Sequence, residues 1–182
     1  SLNLDGYTPT PVVKPPVGDV QNESVLMEWT DTNIKNSTFE GTAREILRVG
    51  FNTVIHPMDD IVFDPLAKAG SPDYGNLYVS TGDGGSGETP GPIQIIPQSL
   101  KALQGKVLRI TPNVALRPKD KLSENGRYRI PSSGPDPNPF LSVAGARPEI
   151  FAYGFRNPHR MDWDPVARFR ERALGLASTV DE

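Results

Sequence analysis

Glycine and proline interrupt this chain so often that its apolar residues can form only short runs. The sequence contains 17 glycines and 19 prolines, about a fifth of its 182 residues, without the period of a collagen. Short segments rich in aromatic and aliphatic residues separate the glycine and proline clusters. This pattern predicts a loop-rich, mostly β domain that is long enough to bury one core.

Charge and composition exclude several classes of function. The 19 basic and 22 acidic residues are interspersed and give a net charge of −3, so a nucleic-acid partner is not expected. No apolar run has the length of a membrane span. The chain has no cysteine, which excludes disulfides, thiolate metal sites and a cysteine nucleophile.

Runs of β-forming residues predict a series of short strands. They lie at Ser24–Trp29, Ala43–Phe51, Asp60–Pro65, Asn76–Thr81, Gly105–Ile110 and Pro148–Gly154. A short helix is an alternative for the second of these segments.

A weak internal repeat indicates how the strands are grouped. Ile61–Pro65 and Met161–Pro165 share one pattern: an apolar residue, any residue, an aromatic residue, and then Asp-Pro. Four strands between two copies of one strand-opening pattern predict a β-propeller blade. A four-stranded sheet cannot bury both faces alone and must stack on neighbouring blades. A β-sandwich would give a similar order of strands.

Three parts of the chain differ in composition. Residues 1–23 are rich in proline and are predicted to form an extended N-terminal arm or linker. Residues 24–165 form the predicted partial β-propeller. Residues 166–182, which include the charged segment Arg168–Leu174, are helix-prone and are predicted to form an atypical tail.

Two loop residues are candidates for chemistry, His56 and Asp83. His56 lies just before a predicted strand, and loops carried by a rigid sheet often hold functional residues. Alternatively, His56 is an ordinary loop histidine that only forms a hydrogen bond with a carbonyl group. Asp83 lies among glycines that permit positive φ and close approach of the backbone to a ligand. The alternative for Asp83 is a turn residue that bonds its own backbone.

Arg156 and Asn157 follow the strand predicted at Pro148–Gly154. The arginine offers a planar fork for oxyanions, and the asparagine offers both a donor and an acceptor. The alternative is a turn between blades in which the arginine pairs with a carbonyl at the sheet edge. The neighbouring His159 and Arg160 are assigned to the surface.

Several motifs occur in the order that one known family shows. They are His56–Pro65, Leu77–Gly85, Leu103–Ile110, Tyr128–Pro131 with Asn138–Phe140, and Pro148–Arg160. Together they resemble the soluble pyrroloquinoline-quinone-dependent aldose or glucose dehydrogenases and the related hedgehog-interacting-like β-propeller proteins. The resemblance covers residues 24–165. It implies an all-β fold, a six-bladed β-propeller of which this chain supplies only some blades of four-stranded antiparallel sheet.

The resemblance also implies a role for each candidate residue. His56 would be the general base that takes the proton of a sugar hydroxyl, and Asp83 would orient it. Arg156 and Asn157 would lie against the quinone carbonyl oxygens and stabilise charge there. His56, Arg156 and Asn157 are therefore the expected cofactor-binding residues, and no metal ligand is assigned within this chain.

The expected activity is oxidation of an aldose or oligosaccharide hydroxyl, with hydride transfer to pyrroloquinoline quinone. Calcium is expected as a second cofactor, with ligands outside this chain, together with an external electron acceptor and a secreted or periplasmic location. The alternative is a non-catalytic propeller that binds a carbohydrate or protein partner, and a third option is a structural propeller stabilised by calcium. We predict that the 182 residues alone are unstable or inactive, because an open propeller leaves sheet faces uncovered.

Overall fold

A computed structural model describes residues 7–88 and 90–164 and the backbone of residues 176–180. The strands are β1 (Val12–Val13), β2 (Asn22–Asp31), β3 (Gly41–Phe51), β4 (Met58–Phe63), β5 (Leu77–Thr81), β6 (Lys106–Ile110), β7 (Lys121–Leu122), β8 (Arg129–Ile130), β9 (Ile150–Tyr153), β10 (Pro158–Trp163) and β11 (Leu176–Val180). A 3₁₀ helix spans Pro92–Gln98. Across the described ranges, no helix is long and apolar enough to span a membrane.

The central element is a four-stranded antiparallel sheet whose strand order, β4-β5-β6-β9, follows the chain. The short pair β7–β8 forms a side sheet within the long connection between β6 and β9. A second sheet has the order β1-β3-β2, and a third contains β10 and β11. The segment Ala43–Phe51 lies within β3, which pairs antiparallel with all of β2. The helix considered for this segment is therefore wrong, and the strand is confirmed.

Both faces of the central sheet are covered. Successive side chains of a strand point to opposite faces, so Val79 and Leu108 pack on the β1-β3-β2 side, in a cluster that includes Ile46. On the other face, Tyr78 packs with Met161 of β10. A sheet enclosed in this way is what a propeller blade between its neighbours requires. The all-β fold with a four-stranded antiparallel blade is confirmed, and the six-bladed ring stays a prediction.

The repeated pattern marks two strands that lie side by side. β4 and β10 each carry one copy, and the Met161 amide of β10 donates a hydrogen bond of 2.7 Å to the Asp60 carboxylate of β4. The copies therefore begin successive sheets, as blade repeats do.

The predicted tail needs one correction. Leu176–Val180 falls within the helix-prone stretch 166–182, yet it forms β11 and pairs antiparallel with β10. Pairing with β11 satisfies an edge of β10 that would otherwise present unpaired backbone groups, and β-branched Thr179 and Val180 favour a strand. The helix-prone segment Arg168–Leu174 lies outside the described residues.

A β-bulge lengthens β4 just after the first candidate site residue. Met58 pairs with Thr81 and Ile61 pairs with Val79, so β4 advances one residue more than β5 between the two pairs. Extra residues of this kind re-aim the side chains beside them.

A buried glutamate on β3 ties the predicted N-terminal arm to the sheet. Glu45 accepts hydrogen bonds from the Thr10 amide at 3.1 Å and the Thr10 hydroxyl at 2.6 Å, and from the Tyr7 hydroxyl. Arg48 adds two bonds, at 2.9 and 2.8 Å. Burial alone would raise the pKa of Glu45, but the bonds from Arg48, Thr10 and Tyr7 outweigh burial and lower the pKa to about 2.

We expect Glu45→Gln to reduce the free energy of unfolding at pH 7 by roughly 1–3 kcal/mol, because bonds to a charged acceptor are lost. The pKa of Glu45 is lower in the folded chain than its ordinary 4.5, so its stabilisation is complete above that pH and is lost as the pH falls towards 2. Urea unfolding from pH 7 to pH 3 measures this. Glu23→Gln, which removes a half-exposed partner of Arg48, is the control and should cost roughly 0–1 kcal/mol. An equal effect of Glu45→Gln at every pH would contradict the prediction.

Candidate functional site

The loop before β4 and the loop after β5 bring an imidazole and a carboxylate together. Nδ1 of His56 lies 2.8 Å from Oδ1 of Asp83, and both side chains are largely buried. Three more donors from the same glycine-rich loop hold the carboxylate: the amides of Gly85 and Gly87 at 2.8 and 3.2 Å and the Ser86 hydroxyl at 2.9 Å. The carboxylate is therefore fixed in position before any ligand arrives.

The hydrogen bond to Asp83 also sets the state of the His56 ring. When Nδ1 donates its proton to the carboxylate, Nε2 carries the free lone pair. Across the described residues, no protein group bonds to that Nε2 atom. A ring held at one nitrogen by a buried carboxylate and open at the other is the arrangement of a general base and its orienting group.

Glycine makes the close approach of the two loops possible. A Cβ atom at Gly82 would lie 2.5 Å from the His56 carbonyl oxygen, so only glycine fits there. Gly84 and Gly85 adopt φ values of 67° and 77°, and the Gly84 amide donates to the His56 carbonyl at 3.1 Å. The positive φ predicted from the glycines around Asp83 is confirmed, and the close approach that the structure shows is to the loop of His56; approach of the backbone to a ligand stays a prediction.

His56 has an unusual backbone conformation. Its φ is 50°, and it is the only residue other than glycine with positive φ within the described part of the chain. Residues held in this region are uncommon and tend to occur at functional sites. The backbone of His56 thus supports a role beyond that of an ordinary turn.

The loop between β9 and β10 brings Arg156 to the same place. The Asp83 amide donates to the Arg156 carbonyl oxygen at 2.7 Å. The Arg156 side chain is half-exposed and forms an ion pair with Glu88. Its partner is thus a carboxylate and not the sheet-edge carbonyl considered as an alternative.

Asn157 follows Arg156 in the sequence and is buried. Its side chain faces His159 and not the ion pair. Its Nδ2 atom lies 2.8 Å from Nε2 of His159. Its Oδ1 atom is buried and has no hydrogen-bond partner among the described residues. Because His159 can accept or donate at Nε2, the amide can be turned over, and the unpartnered position then becomes a donor. His159 is exposed, as predicted, but it also contacts Asn157.

Glu88 was not predicted as a site residue. One oxygen pairs with Arg156, and the other lies 3.9 Å from Nδ1 of His56. The signal available in the sequence was its place at the end of the glycine-rich loop that carries Asp83. One ligand atom each from His56, Asp83 and Glu88 lie within 4.8 Å of one another. Since Arg156 neutralises Glu88, we interpret the group as a charged hydrogen-bonded cluster.

Two more carboxylates, those of Asp59 and Asp60, lie close to the site. Burial raises the pKa of Asp59 above its ordinary value, while His159 and His56 act to lower it. Both histidines are therefore within electrostatic reach of Asp59. Asp60 instead bonds the Met161 amide and receives no role in the site.

The structure therefore brings His56, Asp83 and Arg156 into one cluster. Asn157 adjoins it, with one buried polar position left open. The cluster can accept a proton at a fixed imidazole and can bind an anionic oxygen at a half-exposed guanidinium.

Comparison with known proteins agrees with these motifs. Over residues 56–176 the chain matches the Glucose / Sorbosone dehydrogenase family. It is 30% identical over 152 residues to the HIPL1 protein of Arabidopsis thaliana, covering 79% of this chain and 20% of that protein. It is 33% identical over 91 residues to the aldose sugar dehydrogenase YliI of Escherichia coli strain K12, covering 50% of this chain and 18% of that protein.

A solved structure is also similar. A putative oxidoreductase (glucose dehydrogenase) from Thermus thermophilus is 31% identical, with a TM-score of 0.44 over 70% of this chain and 30% of that one. The chain spans about a fifth of the length of the curated relatives named above. Since the family match covers most of the residues and includes every predicted site residue, the chain belongs to the glucose/sorbosone dehydrogenase family.

Proposed function

We propose that this chain carries part of the active site of a quinoprotein sugar dehydrogenase, which oxidises a hydroxyl of an aldose or oligosaccharide. The observation that carries the proposal is the His56–Asp83 pair, with 2.8 Å between Nδ1 and Oδ1 and Nε2 open to a ligand. Family membership supports a sugar oxidoreductase. The substrate and the catalytic roles are our proposal.

His56 acts on the proton of the sugar hydroxyl. Oxidation of a C–OH group removes the hydroxyl proton and a hydride from the same carbon, leaving a C=O bond. In the proposed reaction, Nε2 of His56 takes the proton while Asp83 holds Nδ1 and stabilises the imidazolium that forms. Pyrroloquinoline quinone, when bound, supplies the acceptor for the hydride and its two electrons.

The residues present fit an oxygen-rich, anionic cofactor. Arg156 is 46% exposed at its side chain and offers a guanidinium fork. Asn157 has a buried polar position without a partner among the described residues, which a carbonyl or carboxylate oxygen would satisfy when the amide donates. Arg156 and Asn157 would therefore hold the quinone oxygens. Calcium, an external electron acceptor and a secreted or periplasmic location remain part of the proposal on the strength of the resemblance.

Titration of the intact protein with pyrroloquinoline quinone in the presence of calcium tests the proposal. We expect saturable, calcium-dependent quenching of tryptophan fluorescence, followed by sugar-dependent reduction of a dye. Arg156→Ala should weaken the binding and leave the melting temperature unchanged, since the side chain is half-exposed. Absence of binding at micromolar quinone would overturn the proposal.

A propeller that binds a carbohydrate or protein without catalysis is the second candidate. It is favoured by the carboxylates around Arg156 and His56, because Glu88 already engages the arginine and Asp59 lies near both histidines. Negative charge at these positions opposes an anionic cofactor.

A further inference from the structure

Glu88 interacts with both His56 and Arg156 in the candidate site. Its Oε1 atom forms the ion pair with Nη2 of Arg156, and its Oε2 atom lies 3.9 Å from Nδ1 of His56. The carboxylate therefore lies between the group that would take a proton and the group that would bind an anionic oxygen. A ligand that reached both groups would have to share this space or replace the carboxylate.

The two carboxylates of the site are held very differently. Asp83 is buried and is fixed by the imidazole and three further donors. The side chains of Glu88 and Arg156 are 37% and 46% exposed. An ion pair that is open to water contributes little to stability, so replacing one of its partners costs little. Asp83 is thus a permanent part of the site, and the Glu88–Arg156 pair is replaceable.

Charge favours the same conclusion. Asp83 and Glu88 contribute two carboxylates to the cluster, whereas Arg156 contributes one guanidinium. Other charged groups that reach His56 include Asp59, whose pKa is raised by burial. An anionic ligand that binds Arg156 must therefore compete with Glu88 for the guanidinium and is repelled by the remaining carboxylates.

We propose that Glu88 competes with the ligand for Arg156 and thereby sets the selectivity of the site. A ligand with a carboxylate or similar oxyanion displaces Glu88 from Arg156, whereas a neutral ligand leaves the ion pair closed. The displaced carboxylate stays on the loop of Asp83 and can then act on His56 alone, where it stabilises the protonated ring. The inference rests on the proposed function for the identity of the natural ligand, and the exchange itself requires only an anion.

The test compares Glu88→Gln, which keeps the shape and removes the charge, with Glu88→Asp, which keeps the charge. Both are made in the intact protein and titrated separately with pyrroloquinoline quinone and with inorganic phosphate. The readouts are tryptophan fluorescence for the quinone, and the side-chain Nε–H signal of Arg156 in NMR for phosphate. We expect Glu88→Gln to bind both probes roughly three- to fivefold more tightly, the upper part of the range for an exposed ion pair. Glu88→Asp should remain within about twofold of the original protein.

The two probes separate the possible failures. Tighter phosphate binding without any quinone binding would support the exchange and overturn the proposed cofactor. Weaker or unchanged binding of both probes by Glu88→Gln would show that Glu88 positions Arg156 and does not compete, which overturns the inference. Failure of phosphate to shift the Arg156 signal in any variant at about 100 mM would overturn it as well, since the half-exposed guanidinium would then bind no anion.

Discussion

Replacing His56 with alanine is expected to reduce kcat/KM for sugar-dependent dye reduction by roughly 10²–10⁴-fold, the usual contribution of a general base. The side chain is held by Asp83 at 2.8 Å and has its other nitrogen open, so its removal eliminates the proposed proton acceptor. The measurement is steady-state kinetics of the intact protein with saturating quinone and calcium. The fall should appear mainly in kcat, and added imidazole should restore part of the rate, because a free base can enter the vacated space.

Asp83→Asn is the matched variant for this experiment. It keeps the size of the side chain and removes the charge that fixes the Nδ1 proton, so we expect a large loss of rate and a changed pH profile. Quinone binding should be weakened in His56→Ala but not abolished, because Arg156 and Asn157 are unaffected. Full dye reduction by a folded His56→Ala variant would contradict the role of His56 as base. A ligand that binds equally well to the original protein and to His56→Ala, with no redox activity in either, would favour the non-catalytic propeller.

Tyr78→Ala is expected to lower the free energy of unfolding by roughly 3–5 kcal/mol, the cost of deleting a buried aromatic side chain. The ring packs edge-on against Phe151 at 5.1 Å and against Trp163 at 5.0 Å. Phe151 belongs to β9 of the same sheet, whereas Trp163 belongs to β10, so the variant should loosen the junction between the central sheet and β10. Chemical denaturation at constant pH gives the difference, provided that the transition is two-state.

Tyr78→Phe is the control for the stability experiment. It keeps both ring contacts and removes only the hydroxyl that donates to Asp73 at 2.9 Å. Asp73 still receives a bond from Asn76 at 2.8 Å, so we expect a cost of only about 1 kcal/mol. Equal losses in the two variants would show that the hydroxyl, and not the packing against β10, provides the stability.

The sequence was sufficient to predict β2 to β6 and β9, and the family resemblance implied the pairing of His56 with Asp83. Strand positions followed from short β-forming runs, and the glycines around Asp83 indicated a loop that another segment could approach closely. The contacts of Glu88 and Asn157 could not be predicted, because they depend on how three separate loops meet in space. β11 was also missed, since its pairing with β10 is decided by an available sheet edge more than by local preference.

Burial along β6 was equally difficult to predict. Its alternating pattern is typical of a strand with one polar face, yet every residue of β6 is buried. Lys106 donates to the carbonyl oxygens of Ile96, Pro97 and Gln104 at 3.1, 2.8 and 2.7 Å, and burial lowers its pKa to about 7. A polar residue with such partners is stable inside the protein, and those partners come from the long connection that precedes β6.

The bulge in β4 makes the site sensitive to insertions and deletions. Losing one residue between Met58 and Ile61 would make β4 and β5 advance equally and would remove the local bend and added twist that a bulge gives a strand. His56 lies two residues before this strand, so the change in bend would alter the 2.8 Å approach of its Nδ1 to Asp83. A chain of this design can accept new residue types at Asp59 far more easily than a change in loop length, and evolution of its specificity should proceed there by substitution.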